Sequence, residues 1–178
     1  NYLINKKTSA TISLIQSTES NDKIKSAADK PLLIKKNDRF KKYEEIIHSN
    51  LSSGKQVLLL APELAQAKYF EQMFSEQNPL LLTSESSPKK FFQNWDKIRT
   101  GEAKFIIGTR ISVFANFHSL GAIIIDEEHS REYKSRDMMP YYNAKTVAFK
   151  IAELSSARVI LGSATPSFET YSHVKDHS

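Results

Sequence analysis

The 178-residue chain is 40% hydrophobic and holds no cysteine, which suits one compact domain with a sizeable core and excludes a disulfide framework or a cysteine-based zinc site within it. No apolar stretch approaches the roughly 18 residues a membrane span needs, and the polar amino terminus has no secretory h-region, so no membrane contact and a cytoplasmic location are expected. Lysine and arginine number 25 against 20 acidic residues, giving +5 and a pI near 9.3, a balance that mildly favours a polyanionic partner.

Residues 1–30 are polar and rich in Ser, Lys and Asn, with one short apolar stretch from Thr11 to Ile15, and read as a linker or an incomplete leading segment. The chain opens on Asn1 rather than Met, and is expected to be a piece of a longer polypeptide. From Pro31 short apolar runs alternate with longer periodic segments. The runs are Pro31–Ile34, Gln56–Ala61, Leu80–Thr83, Lys104–Ile107, Ala122–Asp126 and Arg158–Gly162. Helices are predicted between and after them at 38–52, 63–76, 88–99, 141–154 and 167–174. This alternation predicts an α/β domain with a mainly parallel central sheet covered on both faces. Val57-Leu58-Leu59-Leu60 and Ile123-Ile124-Ile125 are apolar without alternation, as central buried strands are.

The run Ile123-Ile124-Ile125 ends in Asp126-Glu127-Glu128-His129. A strand of this kind delivers carboxylates to the carboxyl edge of the sheet, where open α/β sheets bind ligands. One carboxylate there can hold a nucleotide-bound Mg²⁺, and its neighbour can orient the attacking water. The next predicted strand ends in Gly162-Ser163-Ala164-Thr165-Pro166, whose hydroxyls lie beside the acids and can relay nucleotide state. The plain alternative is a helix amino terminus on a polar surface. His129 taken alone is more often a packed or surface histidine than a functional one.

Two further strand ends fall upstream in order. Leu60-Ala61-Pro62-Glu63-Leu64-Ala65 leads from strand into helix, and Ile107-Gly108-Thr109-Arg110 closes another strand. Taken separately, Ala-Pro-Glu is an ordinary helix start; only the ordered set is specific. The segment Ser130–Pro140 breaks the rhythm with Arg131, Tyr133, Lys134 and Arg136, followed by Tyr141 and Tyr142. It reads either as a nucleic-acid loop acting through phosphate contacts and base stacking or as a solvated loop anchored by its aromatics.

In combination, the acidic tetrad and Ser163-Ala164-Thr165 resemble motifs II and III of superfamily 2 helicases, and the upstream strand ends resemble motifs Ia and Ib. The stretches from Gly54 to Glu63, Gly108 to Ala115, Leu120 to Lys134 and Leu161 to Ser167 are similar to the primosomal replication-restart helicases. The spelling Asp-Glu-Glu-His and the following Glu132-Tyr133-Lys134 are typical of that family. The resemblance covers about residues 31–174 and implies the first lobe of a three-layer RecA-like P-loop NTPase fold, assigned here to 31–178. It implies that Asp126 holds magnesium through the nucleotide, that Glu127 positions water, and that Glu128, His129, Ser163 and Thr165 couple hydrolysis to DNA. It implies DNA contacts at Pro62, Glu63, Thr109, Arg110, Tyr133, Lys134, Arg136, Tyr141 and Tyr142. The implied partners are single-stranded or forked DNA, primosome proteins and single-strand-binding proteins.

One departure bears on activity. A phosphate-binding loop reads G-x-x-x-x-G-K-[ST] between a strand and a helix, because glycines let backbone N–H groups wrap the phosphates. Residues 34–42 read Ile-Lys-Lys-Asn-Asp-Arg-Phe-Lys-Lys, with no glycine and no Lys-Ser or Lys-Thr pair. Arg39 or Lys41 supplies charge there, and neither supplies the backbone geometry. Gly54-Lys55 precedes a strand, the wrong context for such a loop. A smaller departure is Tyr141-Tyr142-Asn143, where the family has an Arg-Tyr-His-like run. The sequence therefore predicts a DNA-binding lobe with weakened or lost ATP hydrolysis, using Mg-ATP only if active. The competing expectations are a protein-interaction relic that does not bind DNA, and another superfamily 2 nucleic-acid-dependent ATPase.

Overall fold

The apolar runs assemble into one sheet. The computed structural model describes residues 32–35, 39–135, 139 and 141–163. Six strands lie in it: β1 (Leu32–Lys35), β2 (Gln56–Leu60), β3 (Leu80–Leu82), β4 (Phe105–Gly108), β5 (Leu120–Ile125) and β8 (Arg158–Ser163). They run in the order β1-β8-β5-β2-β4-β3, and every pairing is parallel. All carboxyl ends therefore meet at one edge. A two-stranded antiparallel ribbon, β6 (Lys134–Ser135) with β7 (Tyr142–Asn143), stands beside the sheet.

The central strands lack sequence alternation because both of their faces are covered. Val57, Leu59, Ala122 and Ile124 face one side, where helices α1 (Arg39–Ser52) and α2 (Leu64–Met73) contribute Tyr43, Ile47, Ala67 and Phe70. Leu58, Leu60, Ile123 and Ile125 face the other side, where α3 (Pro88–Arg99) and α4 (Ala144–Ser155) contribute Ile98, Val147, Ala148 and Ala152. Burying each valine, leucine or isoleucine among them is worth about 1.5–3 kcal/mol relative to leaving it in water. The result is the expected three-layer α/β architecture.

Two boundaries differ from the sequence-based expectation. The helix predicted from 141 starts at Ala144, because the Asn143 side chain accepts a hydrogen bond from the Lys145 backbone at 3.0 Å and caps it. Tyr142 and Asn143 instead pair with Ser135 and Lys134 in the ribbon. The helix predicted through 76 ends at Met73 and is followed by a 3-10 turn over Ser75–Gln77, closed by Asn78 in the left-handed region. Residues 1–30, the predicted helix 167–174, Thr165 and Arg136 lie outside the described residues.

Candidate functional site

The carboxyl edge concentrates the unusual chemistry. Asp126 directly follows β5 and extends its ladder by donating its backbone N–H to Leu60 O at 3.0 Å. Its side chain is fully buried. The Tyr43 hydroxyl donates to Asp126 Oδ1 at 2.8 Å, and Gln66 Nε2 donates to Oδ2 at 2.5 Å. Arg39 Nε lies 3.4 Å from Oδ1, while Arg39 Nη2 reaches Glu127 Oε1 at 2.6 Å. One guanidinium thus bridges both acids and stands over the Phe40 ring, 4.9 Å from its centroid. Arg39 and Tyr43 are four residues apart on α1, a spacing that places both on one helix face.

The backbone at this corner is constrained as well. Glu127 has φ +46°, a left-handed conformation that costs a non-glycine residue about 1–2 kcal/mol. Glu128 N–H donates to Gly162 O at 3.0 Å, which ties the turn to the end of β8. Gly162 is required by close approach: a Cβ there would lie 1.4 Å from the Tyr43 hydroxyl oxygen and 3.1 Å from Asp126 Oδ1. Buried Glu128 receives Lys145 Nζ at 3.2 Å from the first turn of α4. His129 Nδ1 sits 2.9 Å from Ser163 Oγ and 3.5 Å from Glu127 Oε2, so two of the predicted coupling residues, His129 and Ser163, are brought together beside Glu127.

Electrostatics follow from this packing. Burial raises the Asp126 carboxyl above its usual value, opposed by the Tyr43 hydrogen bond and the Arg39 charge. Burial also works against the Arg39 charge, but Asp126 and Glu127 outweigh it and hold the guanidinium above its ordinary value. Burial and then the Asp126 charge push the Tyr43 phenol well up.

The other strand ends lie on the same edge. At the end of β4, Gly108 passes so close to β3 that a Cβ would be 2.5 Å from Leu82 O. Thr109 then leads into a 3-10 turn, Arg110–Phe114. Phe114 meets Tyr142 edge-on at 4.8 Å between centroids, and burial raises the Tyr142 phenol above its ordinary value, opposed by the Arg110 charge. Motif Ib and the aromatic segment are therefore one cluster. Pro62 and Glu63 open α2, with Glu63 exposed at its N-cap position.

The ordered strand ends now coincide in space, and a family model described as DEAD/DEAH box helicase matches residues 8–174. The chain belongs to the DEAD/DEAH box helicase family. Among curated proteins, the lobe is 39% identical over 137 residues to the replication restart protein PriA of Bacillus subtilis, covering 75% of this chain and 17% of that protein. It is 36% identical over 160 residues to PriA of Rickettsia prowazekii, covering 86% of this chain and 24% of that protein. The chain thus spans a quarter or less of these relatives. Among solved structures, the helicase domain of Pyrococcus furiosus Hef superposes with a TM-score of 0.52 at 14% identity, over 76% of this chain and 28% of that one. The C-terminal domain of the DEAD-box protein Dbp5 gives 0.54 at 12% identity, over 82% and 81%. These structural likenesses establish the RecA-like fold.

At the acidic edge the protein's own donors contact the carboxylate oxygens that a magnesium-bound nucleotide would use. A magnesium ion demands near-ideal octahedral oxygen ligation and is held by one or two carboxylates with water and phosphate. Here each oxygen of Asp126 already has a protein donor, and Glu127 is ion-paired to the same guanidinium. In this structure Asp126 and Glu127 are both ion-paired with Arg39.

Two placements correct or refine the sequence-based expectations. Tyr133, expected to contact DNA, is 1% exposed, and its hydroxyl shares its one proton between the carbonyls of Asp126 (2.5 Å) and Leu60 (3.0 Å). Its ring offers no face to a base; its role is to pin the ends of β2 and β5. Of the two cations predicted near the phosphate position, Arg39 enters the acidic site while Lys41 is exposed on α1. Lys134 and Tyr141 are exposed. Tyr43, Gln66, Gly162 and Lys145 escaped sequence reasoning. The spacing of Tyr43 from Arg39 was a usable signal, whereas nothing local marked Gln66.

Proposed function

We propose that the chain is the amino-terminal motor lobe of a PriA-like replication-restart helicase that acts as a DNA-binding scaffold, with ATP hydrolysis weakened or lost. The observation that carries the catalytic part is the Arg39 guanidinium seated on both Asp126 and Glu127. The absence of glycine between β1 and α1 supports it, since a phosphate cradle needs exposed backbone N–H groups. The DNA-binding part rests on Arg110, Thr109, Tyr142 and the exposed Lys134 and Tyr141 gathered near the edge, together with the +5 net charge. Pro62 and Glu63 at the start of α2 would border the same strand path, with Arg136 in the intervening segment. His129 and Ser163 would join the bound strand to the acidic corner.

The substrate on this reading is single-stranded or forked DNA in the cytoplasm, with primosome and single-strand-binding proteins as partners. No described helix is long and apolar enough to cross a membrane. The experiment is paired titration of the chain with fluorescent forked DNA and with Mg-ATP. DNA binding that weakens with added salt, with no micromolar affinity for Mg-ATP, is the expected result. Micromolar Mg-ATP affinity would sink the scaffold reading. A chain that binds neither DNA nor nucleotide would favour the protein-interaction relic, a reading to which the burial of Tyr133 lends some weight.

A further inference from the structure

We propose that Arg39 is the resident cation of this lobe: with Tyr43 and Gln66 it takes up the carboxylate oxygens of Asp126 and Glu127 that a magnesium-bound nucleotide would need, and so sets the acidic edge without nucleotide. The proposal deepens the scaffold reading and rests on its claim of weakened or lost ATP turnover.

Three donors from two helices converge on one buried acid. Arg39 and Tyr43 come from α1, and Gln66 comes from the first turn of α2. Between them they cover both Asp126 oxygens, Tyr43 and Arg39 at Oδ1 and Gln66 at Oδ2, and share the positive charge with Glu127 Oε1. Arg39 is not placed for the benefit of its helix. A cation in the first turn faces the positive end of the macrodipole and is disfavoured there. The two acids offset that cost, with the Phe40 ring beneath the guanidinium. The side chain is 14% exposed, and its planar fork pairs with both carboxylates in a way that a single ammonium charge cannot.

The consequence is conformational. A nucleotide and its metal come and go, so in a working motor the strand-end acids change partners through the cycle. A guanidinium is covalently part of α1 and keeps its charge at any pH the fold survives. The corner formed by Asp126, the left-handed Glu127 and Gly162 is thereby held in one arrangement. Through Glu127 the same arrangement reaches His129 and Ser163.

Manganese titration of the nucleotide-free chain tests this, because electron paramagnetic resonance separates free from bound ion. The wild-type chain should leave the free-ion signal unattenuated and show no change in melting temperature with manganese. Arg39→Ala should melt several degrees lower, bind manganese, and recover part of the lost melting temperature with the ion. Asp126→Asn in that background should abolish both the binding and the recovery, which a merely structural ion pair would not predict. If the alanine variant does not fold, Arg39→Gln keeps side-chain length while removing the charge, and Gln66→Leu in the same background frees Oδ2. Manganese bound by the wild-type chain through Asp126, or a folded Arg39 variant that binds none, overturns the proposal. Forked-DNA binding is scored on the same samples: its absence refutes the scaffold and leaves Arg39 untouched, while manganese binding to wild type refutes the Arg39 role and leaves DNA binding standing.

Discussion

Tyr43 and Gly162 are mutually dependent: the hydroxyl that donates to Asp126 occupies the space where any side chain at position 162 would begin, 1.4 Å from its Cβ. The contact joins α1 to the end of β8 across the acidic corner, so each residue is intelligible only through the other.

Gly162→Ala should therefore be strongly destabilising, by about 1–3 kcal/mol as an overpacking substitution. Urea unfolding would measure it. The cost should shrink in a Tyr43→Phe background, because the closest atom is the hydroxyl oxygen, so the double-mutant cycle should show a clear interaction energy. Additive costs would indicate that the two residues do not meet.

Tyr133→Phe should lose about 1–3 kcal/mol, since it removes the donor to the buried Asp126 carbonyl, while Leu60 O keeps the Asp126 N–H. Because the ring is enclosed, forked-DNA affinity per folded molecule should stay unchanged. A selective loss of DNA binding with unaltered stability would return Tyr133 to the interface.

Lys145→Met should destabilise through the buried Glu128 carboxylate, by about 1–3 kcal/mol given that the lysine remains partly solvated. Glu128→Gln in that background should recover part of the loss, since an amide needs no counter-charge. Chemical denaturation of the single and double variants decides the point.

Alkaline stability gives a pH test with a definite sign. The Tyr43 and Tyr133 phenols are pushed up by burial first and by the Asp126 charge second. A phenol whose folded pKa exceeds its unfolded value of about 10 contributes fully below that pH. Above it the unfolded chain gives up the proton first, so stability falls as pH rises. The urea midpoint should decline above about pH 10 more steeply for the wild-type chain than for Tyr43→Phe. Equal slopes would mean that Tyr43 is not held protonated by the fold.

Arg110→Ala should weaken forked-DNA binding and lower the slope of log affinity against log salt by about one unit, the signature of one lost phosphate contact. Tyr142→Ala should weaken binding without changing that slope, because stacking releases no counterion. An Arg110→Ala variant with the parent's salt slope would remove Arg110 from the DNA path.

What the sequence determined by itself is local. Strands β2 and β5 were legible because a strand buried on both faces is apolar without alternation, and the two cores on either side of Leu58 and Leu59 are the reason. The acids were legible as a strand end because Asp126 follows three isoleucines. The lack of glycine before α1 was legible because a phosphate cradle depends on backbone geometry that local sequence reports. The start of α4 was misjudged by pattern alone, although Asn143 carried the capping signal. What only the tertiary structure decided is who partners each charge. Tyr43 and Asp126 are 83 residues apart, and Gln66 and Asp126 are 60 apart. Periodicity describes how a segment folds on itself; it carries no record of which side chain, delivered by another strand-to-helix turn, meets a buried carboxylate. The order of parallel strands brings α1, α2 and β5 to one edge, and that juxtaposition makes Arg39 the counter-ion of Asp126 and Glu127.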